Sequence, residues 1–356
     1  MIRRYINIVI GGLFLCMVLL SCEKQAENAP QQQGVKARLS LAVLGFDSPN
    51  GTRAEVEPMT GNIIDPADPL DIVVKNIWFI QINTNDEIVN TYYNNDVDAD
   101  PFVKIAKNSG YYKFIYVANT FNPELFPLGS FQDKNVSELM SQFKTLTTSN
   151  SCLSNNANSE GDSYPIMTGE IEQNINVEEP FLEEATLRYN VSKLTFVLKK
   201  DDTIPAEHVF KTIQLCNVPP RLYYAQSKSN LVEGGKYTNI DATDFIDDAA
   251  ININDTDMDI NGDGAKFTFY LPSNYQGEDS SITYPFDKGG ATKPKATYVK
   301  IVAENKTDKR RYTYTYYLGA NMTSDFNLMI GHHYVYNFTY WNVGAYNDHR
   351  VDITDL

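Results

Sequence analysis

The residues of this 356-residue chain with the best spacing for metal chemistry lie between Asp255 and Thr268, "DTDMDINGDGAKFT". Counted from Asp257, the run places Asp257, Asp259 and Asn261 at alternate positions, with Gly262 next. Alternate oxygens converging round a sharp glycine turn begin a calcium loop. The twelfth position, where a bidentate glutamate closes such a loop, holds Thr268. Asn, Asp and Gly are equally the residues of an ordinary β-turn, so Ca2+ and a plain turn both stand as readings. Other chemistry has less support. The four histidines, His208, His332, His333 and His349, form no HExxH pair, and no G-x-S-x-G elbow occurs. His332–His333 reads as a solvated turn into a strand rather than a metal pair. Glu178–Glu179 and Glu183–Glu184 read as solvated faces. No catalytic constellation is expected, and no enzyme activity.

Two further residues carry chemistry of another kind. Cys22 ends the run "LLSC", directly after an apolar stretch from Ile6 to Leu20 that follows Arg3 and Arg4. This is the layout of an export signal, too short for a comfortable membrane span. The small residue before Cys22 resembles the lipobox of bacterial lipoproteins. That resemblance implies removal of residues 1–21 and acylation (palmitate) of the Cys22 thiol, anchoring the chain in outer-membrane lipid. "EKQAENAPQQQ" then reads as a polar tether. Cys16 leaves with the signal. Cys152 and Cys216 remain, either paired in an oxidising compartment or as two separate thiols. The second residue is Arg53, in "DSPNGTRAE". Pro49, Asn50 and Gly51 keep that loop out of regular structure, which suits a protease cutting between Arg53 and Ala54.

The elements that must position these groups are strands. Tyr (23) and Phe (18) are abundant against two Trp, a balance that favours β-structure. A formal net charge of −15 makes nucleic acid a poor partner, since Lys and Arg must neutralise phosphates. In "VKARLSLAV", Val35, Ala37, Leu39, Leu41 and Val43 share one face at period two. "DIVVKNIWFIQI" (Asp71 to Ile82) is apolar on both faces and reads as an inner strand, with "EIVNTYY" returning beside it. "GYYKFIYVANT" is another. Between 121 and 160 the one helix-like piece is "NVSELMSQFKTL". A second run of strands opens near residue 185 with "TLRYNVSKLTFVLKK" and continues through "KTIQLCNVP", "GAKFTFYLP", "ATYVKIVAE" and "RRYTYTYYLG". It ends in "HYVYNFTYW", where Tyr334, Tyr336, Phe338 and Tyr340 share a face. Those tyrosines read as core and cross-strand packing, with sugar stacking the alternative. Many short strands with Asn/Asp/Gly turns indicate β-sandwiches. Residues 1–21 are the signal and 22–53 the tether with its first strand. Two sandwiches at 54–184 and 185–356 fit the length.

The order of several segments carries a resemblance: the lipobox, the "GTRAE" site, "KNIWFIQI", "GYYKFIYVANT", "LRYNVSKLTFVL", "YLPSNYQG" and "YLGANMTSDFN…HHYVYNFTYW". This series resembles the fimbrillin superfamily, lipoprotein subunits of type V (Bacteroidia-type) fimbriae. It departs at "MIGHHY", where an Arg-Asn pair is more usual. The resemblance implies an all-β chain of two tandem transthyretin-like β-sandwich domains with few short helices. It also implies that an arginine-specific protease cuts after Arg53, that the strand of Val35 to Val43 is lost, and that a neighbouring subunit's strand fills the groove. The expected partners are other fimbrial subunits and a host or bacterial surface ligand. The expected location is the cell outer membrane, then the fimbrium. The tail "NVGAYNDHRVDITDL" offers only Val351 and Ile353 as a short donor strand, which leans towards a minor or tip-like subunit. The other reading is a glycan-binding surface lipoprotein of a nutrient-uptake system.

Overall fold

The computed structural model describes residues 34–44, 54–55, 72–126, 128, 139, 143–145, 164–224, 245–258, 263–290, 293–343 and 350–355. Cys22, Cys152, Arg53, Asp259 and Asn261 lie outside them. The described residues form strands, two single 3-10 turns and helical positions at Leu128 and Leu139, so the expected all-β class is found.

The first ten strands are β1 (Val35–Arg38), β2 (Leu41–Val43), β3 (Ala54–Glu55), β4 (Ile77–Ile82), β5 (Ile88–Asn94), β6 (Phe102–Ile105), β7 (Gly110–Ala118), β8 (Phe143–Thr145), β9 (Met167–Ile175) and β10 (Ala185–Tyr189). Six make one sheet in the order β2-β10-β9-β7-β4-β5, and β1 pairs with β6 alone. All six side chains of β4 are buried, as its two-sided apolar run predicts. On one face Phe79 stacks on Phe114 at 5.1 Å. On the other, Trp78 meets Phe126 edge-on at 5.5 Å and donates its indole N–H to Asn122 O.

The remaining strands are β11 (Ser192–Lys200), β12 (His208–Cys216), β13 (Arg221–Tyr223), β14 (Ile251–Asn252), β15 (Ala265–Leu271), β16 (Asn274–Glu278), β17 (Tyr298–Asn305), β18 (Arg310–Tyr317), β19 (Asp325–Leu328), β20 (His333–Tyr340) and β21 (Val351–Asp355). They form the sheets β15-β11-β20-β3 and β14-β12-β17-β18-β21, with β16 and β19 as a separate pair. The two larger sheets pack face to face through rings: Tyr316 on Phe338 at 4.5 Å and Phe210 on Tyr340 at 4.7 Å. Tyr334, Tyr336, Phe338 and Tyr340 are all buried, so the alternation in this strand is core packing and displays no rings for sugar.

Two sequence boundaries move. The run at 185–200 is not one strand: β10 pairs with β9 and β2 in the first set of sheets, and β11 opens the second. In this run the change of sheet falls between Tyr189 and Ser192. In the helix-like "NVSELMSQFKTL", Leu139 is helical, while Phe143–Thr145 is a strand that pairs antiparallel with β13. β-branched and aromatic residues at that end, with a partner edge available, override a weak helical spacing.

Candidate functional site

The segment from Val35 to Leu44 crosses from one sheet to the other. Its first half, β1, runs antiparallel to β6 with Val35 opposite Ile105 and Arg38 opposite Phe102. Leu39 donates its backbone N–H to Pro101 O at 2.9 Å, closing that ladder. The chain then changes partner: Ala185 donates to Ser40 O, β2 runs parallel to β10, and Leu44 donates to Leu187 O. Beyond an isolated bridge between Arg38 and Phe181, each half has one ladder, and β2 lies at the end of its sheet. The segment thus lies along sheet margins and is not locked in the middle of a sheet.

Its expected inward face is present. Ala37 is 1% exposed and Leu39 8%, while Val35, Leu41 and Val43 are half-buried against the core. Opposite them in the two ladders stand Ile105, Val103, Ala185 and Leu187, all buried, and Leu182 is buried in the same core. Fully burying a leucine-sized side chain stabilises by roughly 1.5–3 kcal/mol, so the segment as a whole is worth several such units, on the order of 5 kcal/mol. Taking it out exposes that apolar trough and the β6 and β10 edges together. On the outer side Lys36 reaches Asp100 at 3.1 Å and sits 4.3 Å above the Phe102 ring.

Downstream of the expected cut, Ala54 and Glu55 form β3 on the edge of β20, parallel, opposite Tyr336 and Asn337. At the other end of the chain, β21 pairs antiparallel with β18 from Arg310↔Asp355 to Tyr314↔Val351. The weak tail strand therefore occupies an edge of its own sandwich, with Ile353 packed on the core.

Of the calcium-loop candidates only Asp257 lies among the described residues. Asp257 lies in the 3-10 turn Asp255–Met258, while Thr268 pairs with Thr195 in the middle of β15. The carboxylate with a structural role there is Asp255, which takes the Lys200 ammonium and the Phe210 backbone N–H. Among the described residues no three His, Cys, Asp or Glu side chains gather as a metal site. Cys216 is buried with a free thiol, and burial pushes its pKa up to about 12. His333 bonds Thr195 Oγ1 at 2.8 Å through Nε2, and His332 meets Ile330 O through Nδ1. They serve the entry to β20 and do not converge. The sequence reading missed β6 and the polar side chains Gln81, Asn90 and Asn94 behind it. Amides interrupting the apolar runs "IWFIQI" and "IVNTYYN" were the available signal.

The fold is similar to that of solved structures. A candidate cell adhesion protein from Bacteroides eggerthii superposes with a TM-score of 0.54 at 14% identity, covering 90% of this chain and 94% of that one. A candidate cell adhesion protein from Parabacteroides distasonis gives 0.51 at 12% identity, covering 90% and 96%. This chain shares their fold. The tip fimbrial protein Mfa3 from Porphyromonas gingivalis, with its C-terminus truncated, gives 0.49 at 13% identity, covering 81% and 96%. Residues 269–338 match the family described as Domain of unknown function (DUF4906). No curated protein matches the chain.

Proposed function

We propose that this chain is a structural subunit of cell-surface fimbriae. It is exported as a lipoprotein anchored through Cys22, cut between Arg53 and Ala54, and assembled when a neighbouring subunit's strand replaces Val35 to Val43. The observation that carries this reading is the position of that segment. It is apolar on one face, bonded to one ladder at a time, and placed at the margins of both sheets. A strand so placed can leave without opening the sheets behind it, and strand addition restores both the burial and the ladder. The shared fold with candidate cell adhesion proteins supports a role in adhesion at the surface. The partners are other subunits and an arginine-specific protease.

The test is N-terminal sequencing of this chain from sheared surface filaments. A start at Ala54 is expected; a start at Cys22 overturns the processing step.

One observation favours the second reading, a glycan-binding surface lipoprotein. Tyr284 and Phe286 are 58% and 44% exposed and stack at 5.3 Å, a ring pair on the surface. Loss of carbohydrate retention in a Tyr284→Ala/Phe286→Ala variant would support that reading over the first.

A further inference from the structure

Among the described residues β6 has no strand on its inner side, and its backbone is bonded there by side chains. Asn94 Nδ2 donates to Asp100 O at 2.5 Å and to Phe102 O at 3.0 Å. Asn90 Nδ2 donates to Lys104 O at 2.7 Å. Gln81 Oε1 accepts from the Ala106 backbone N–H at 2.8 Å. Residues 100, 102, 104 and 106 thus face the amides. The alternation of an extended strand turns 101, 103 and 105 towards β1, and the Leu39–Pro101 bond agrees.

The three amides are costly to keep where they are. Gln81, Asn90 and Asn94 are 0%, 6% and 4% exposed. Gln81 interrupts a strand that is otherwise wholly apolar, and its Nε2 has no hydrogen-bond partner among the described residues. Gln81 and Asn90 are directly opposite each other beside a register shift, where β4 and β5 pair Gln81 with Asn90 and Ile82 with Ile88. A bulge of this kind re-aims side chains. Here Val89 is the extra residue, and Asn90 and Gln81 reach the β6 backbone.

We infer that Gln81, Asn90 and Asn94 stand in for a missing strand and hold β6 as a preformed acceptor edge. That edge takes a strand from another polypeptide presenting glycine at the Gly34 level and a small side chain at the Ala37 level. A Cβ at Gly34 would meet Ile105 O at 2.6 Å and Lys104 Cβ at 3.0 Å, so the backbones approach too closely for a side chain there. Ala37, at 1% exposure, fills its place completely. Asp100 and Phe102 on the rim add a weaker preference for a basic residue between the two. The inference rests on the removable-strand reading above and adds what keeps the groove open and what fits it.

The test uses the full chain, nicked after Arg53 and freed of the 1–53 piece by gel filtration under mild denaturant, then returned to buffer. The probe is a labelled peptide of residues 33–45. Binding of this peptide is required by the removable-strand reading, and its failure to bind sinks that reading. Given binding, hydrogen exchange of the strand-free chain decides the inference. The Val103 and Ile105 amides are expected to exchange fast and the Ala106 amide to stay protected. Equal loss at all three means β6 detaches, and the bracket is wrong. Peptides carrying Gly34→Val or Ala37→Leu are expected to bind on the order of tenfold or more weakly, and Lys36→Glu a few-fold more weakly, about the effect of an exposed ion pair. Unchanged binding of the first two overturns the fit. Asn90→Leu is expected to leave the uncut chain folded while slowing peptide uptake by about tenfold, since it leaves Lys104 O unpaired. If it unfolds the uncut chain, the exchange pattern of the wild type still decides.

Discussion

His208 has no exposed surface and meets Tyr312 edge-on at 4.7 Å. Tyr314 gives its hydroxyl proton to Val343 O, so His208 Nε2 is the donor in the His208–Tyr314 contact and Nδ1 is bare. Burial lowers the imidazole pKa to about 4, outweighing the pull of Asp255, Asp308 and Glu207. Its folded value lies below the ordinary 6.5, so its stabilising contribution is complete above pH 6.5 and is lost as pH falls towards 4. Asp248, buried in the same sandwich, has the opposite sign. Burial raises its pKa to about 6, so the fold gains stability as pH falls from 6 towards 3.8. Each shift corresponds to roughly 3 kcal/mol, so across this window the two largely cancel. His208→Phe is therefore expected to remove the His208 loss, so that its stability relative to wild type rises on acidification from pH 6.5 to 4 by on the order of 2–3 kcal/mol. Urea denaturation at a series of pH values reads this directly, and a profile parallel to wild type would refute it. Gly319 gives a second residue-level prediction. Its φ is 157°, a Cβ there would fall 2.0 Å from Asp325 O, and its N–H and C=O both engage the buried Tyr336 hydroxyl. Gly319→Ala should destabilise the second sandwich by roughly 2–3 kcal/mol, measurable as a lower urea midpoint.

At the scale of the element, the segment at 35–44 is held by its apolar face. Arg38 has an exposed side chain, but its backbone is locked opposite Phe102. An arginine-specific protease is therefore expected to cut the wild-type precursor after Arg53 and to spare Arg38. Leu39→Asp buries a charge with no partner and should release the strand, so that a second cut after Arg38 appears in mass spectra of the digest. A digest identical to wild type would mean that the ladder, not Leu39, holds the segment. The five-residue alternation from Val35 to Val43 was readable because one buried face repeats at period two. The partner switch at Ser40 was not, since a strand that changes edges keeps the same alternation. β6 escaped notice because four residues, "FVKI", give too short a pattern. β9 escaped because its exposed Glu170 and Glu172 dilute its apolar face. The change of sheet between β10 and β11 was not readable because "NVS" between two good strands carries no Gly or Pro to mark it. The amide bracket had a local signal in Gln81, Asn90 and Asn94, but only the fold shows that all three reach one backbone.

At the scale of the whole molecule, groove and tail must be compared as the two sides of a joint. The groove is filled by five alternating apolar residues, with alanine at its tightest place and a lysine facing Asp100. The tail offers Val351 and Ile353 alone. Laid in the same direction as β1, with Val351 at the Val35 level, it would put Ile353 where Ala37 sits, Asp352 against Asp100 and Asp355 where Leu39 is buried. Overpacking, like-charge repulsion and an unpaired buried carboxylate all oppose that fit. The tail also gives up its own ladder to β18 when it leaves. Copies of this chain are therefore expected to be good acceptors and poor donors for one another. After nicking and removal of the 1–53 piece, the chain alone should remain monomeric by light scattering while binding the 33–45 peptide. Deleting residues 350–356 should leave that binding unchanged, because β21 is an edge strand in the other sandwich. SDS-resistant ladders from the nicked chain that vanish with the deletion would reverse the assignment, making the tail a donor and the chain a repeating unit.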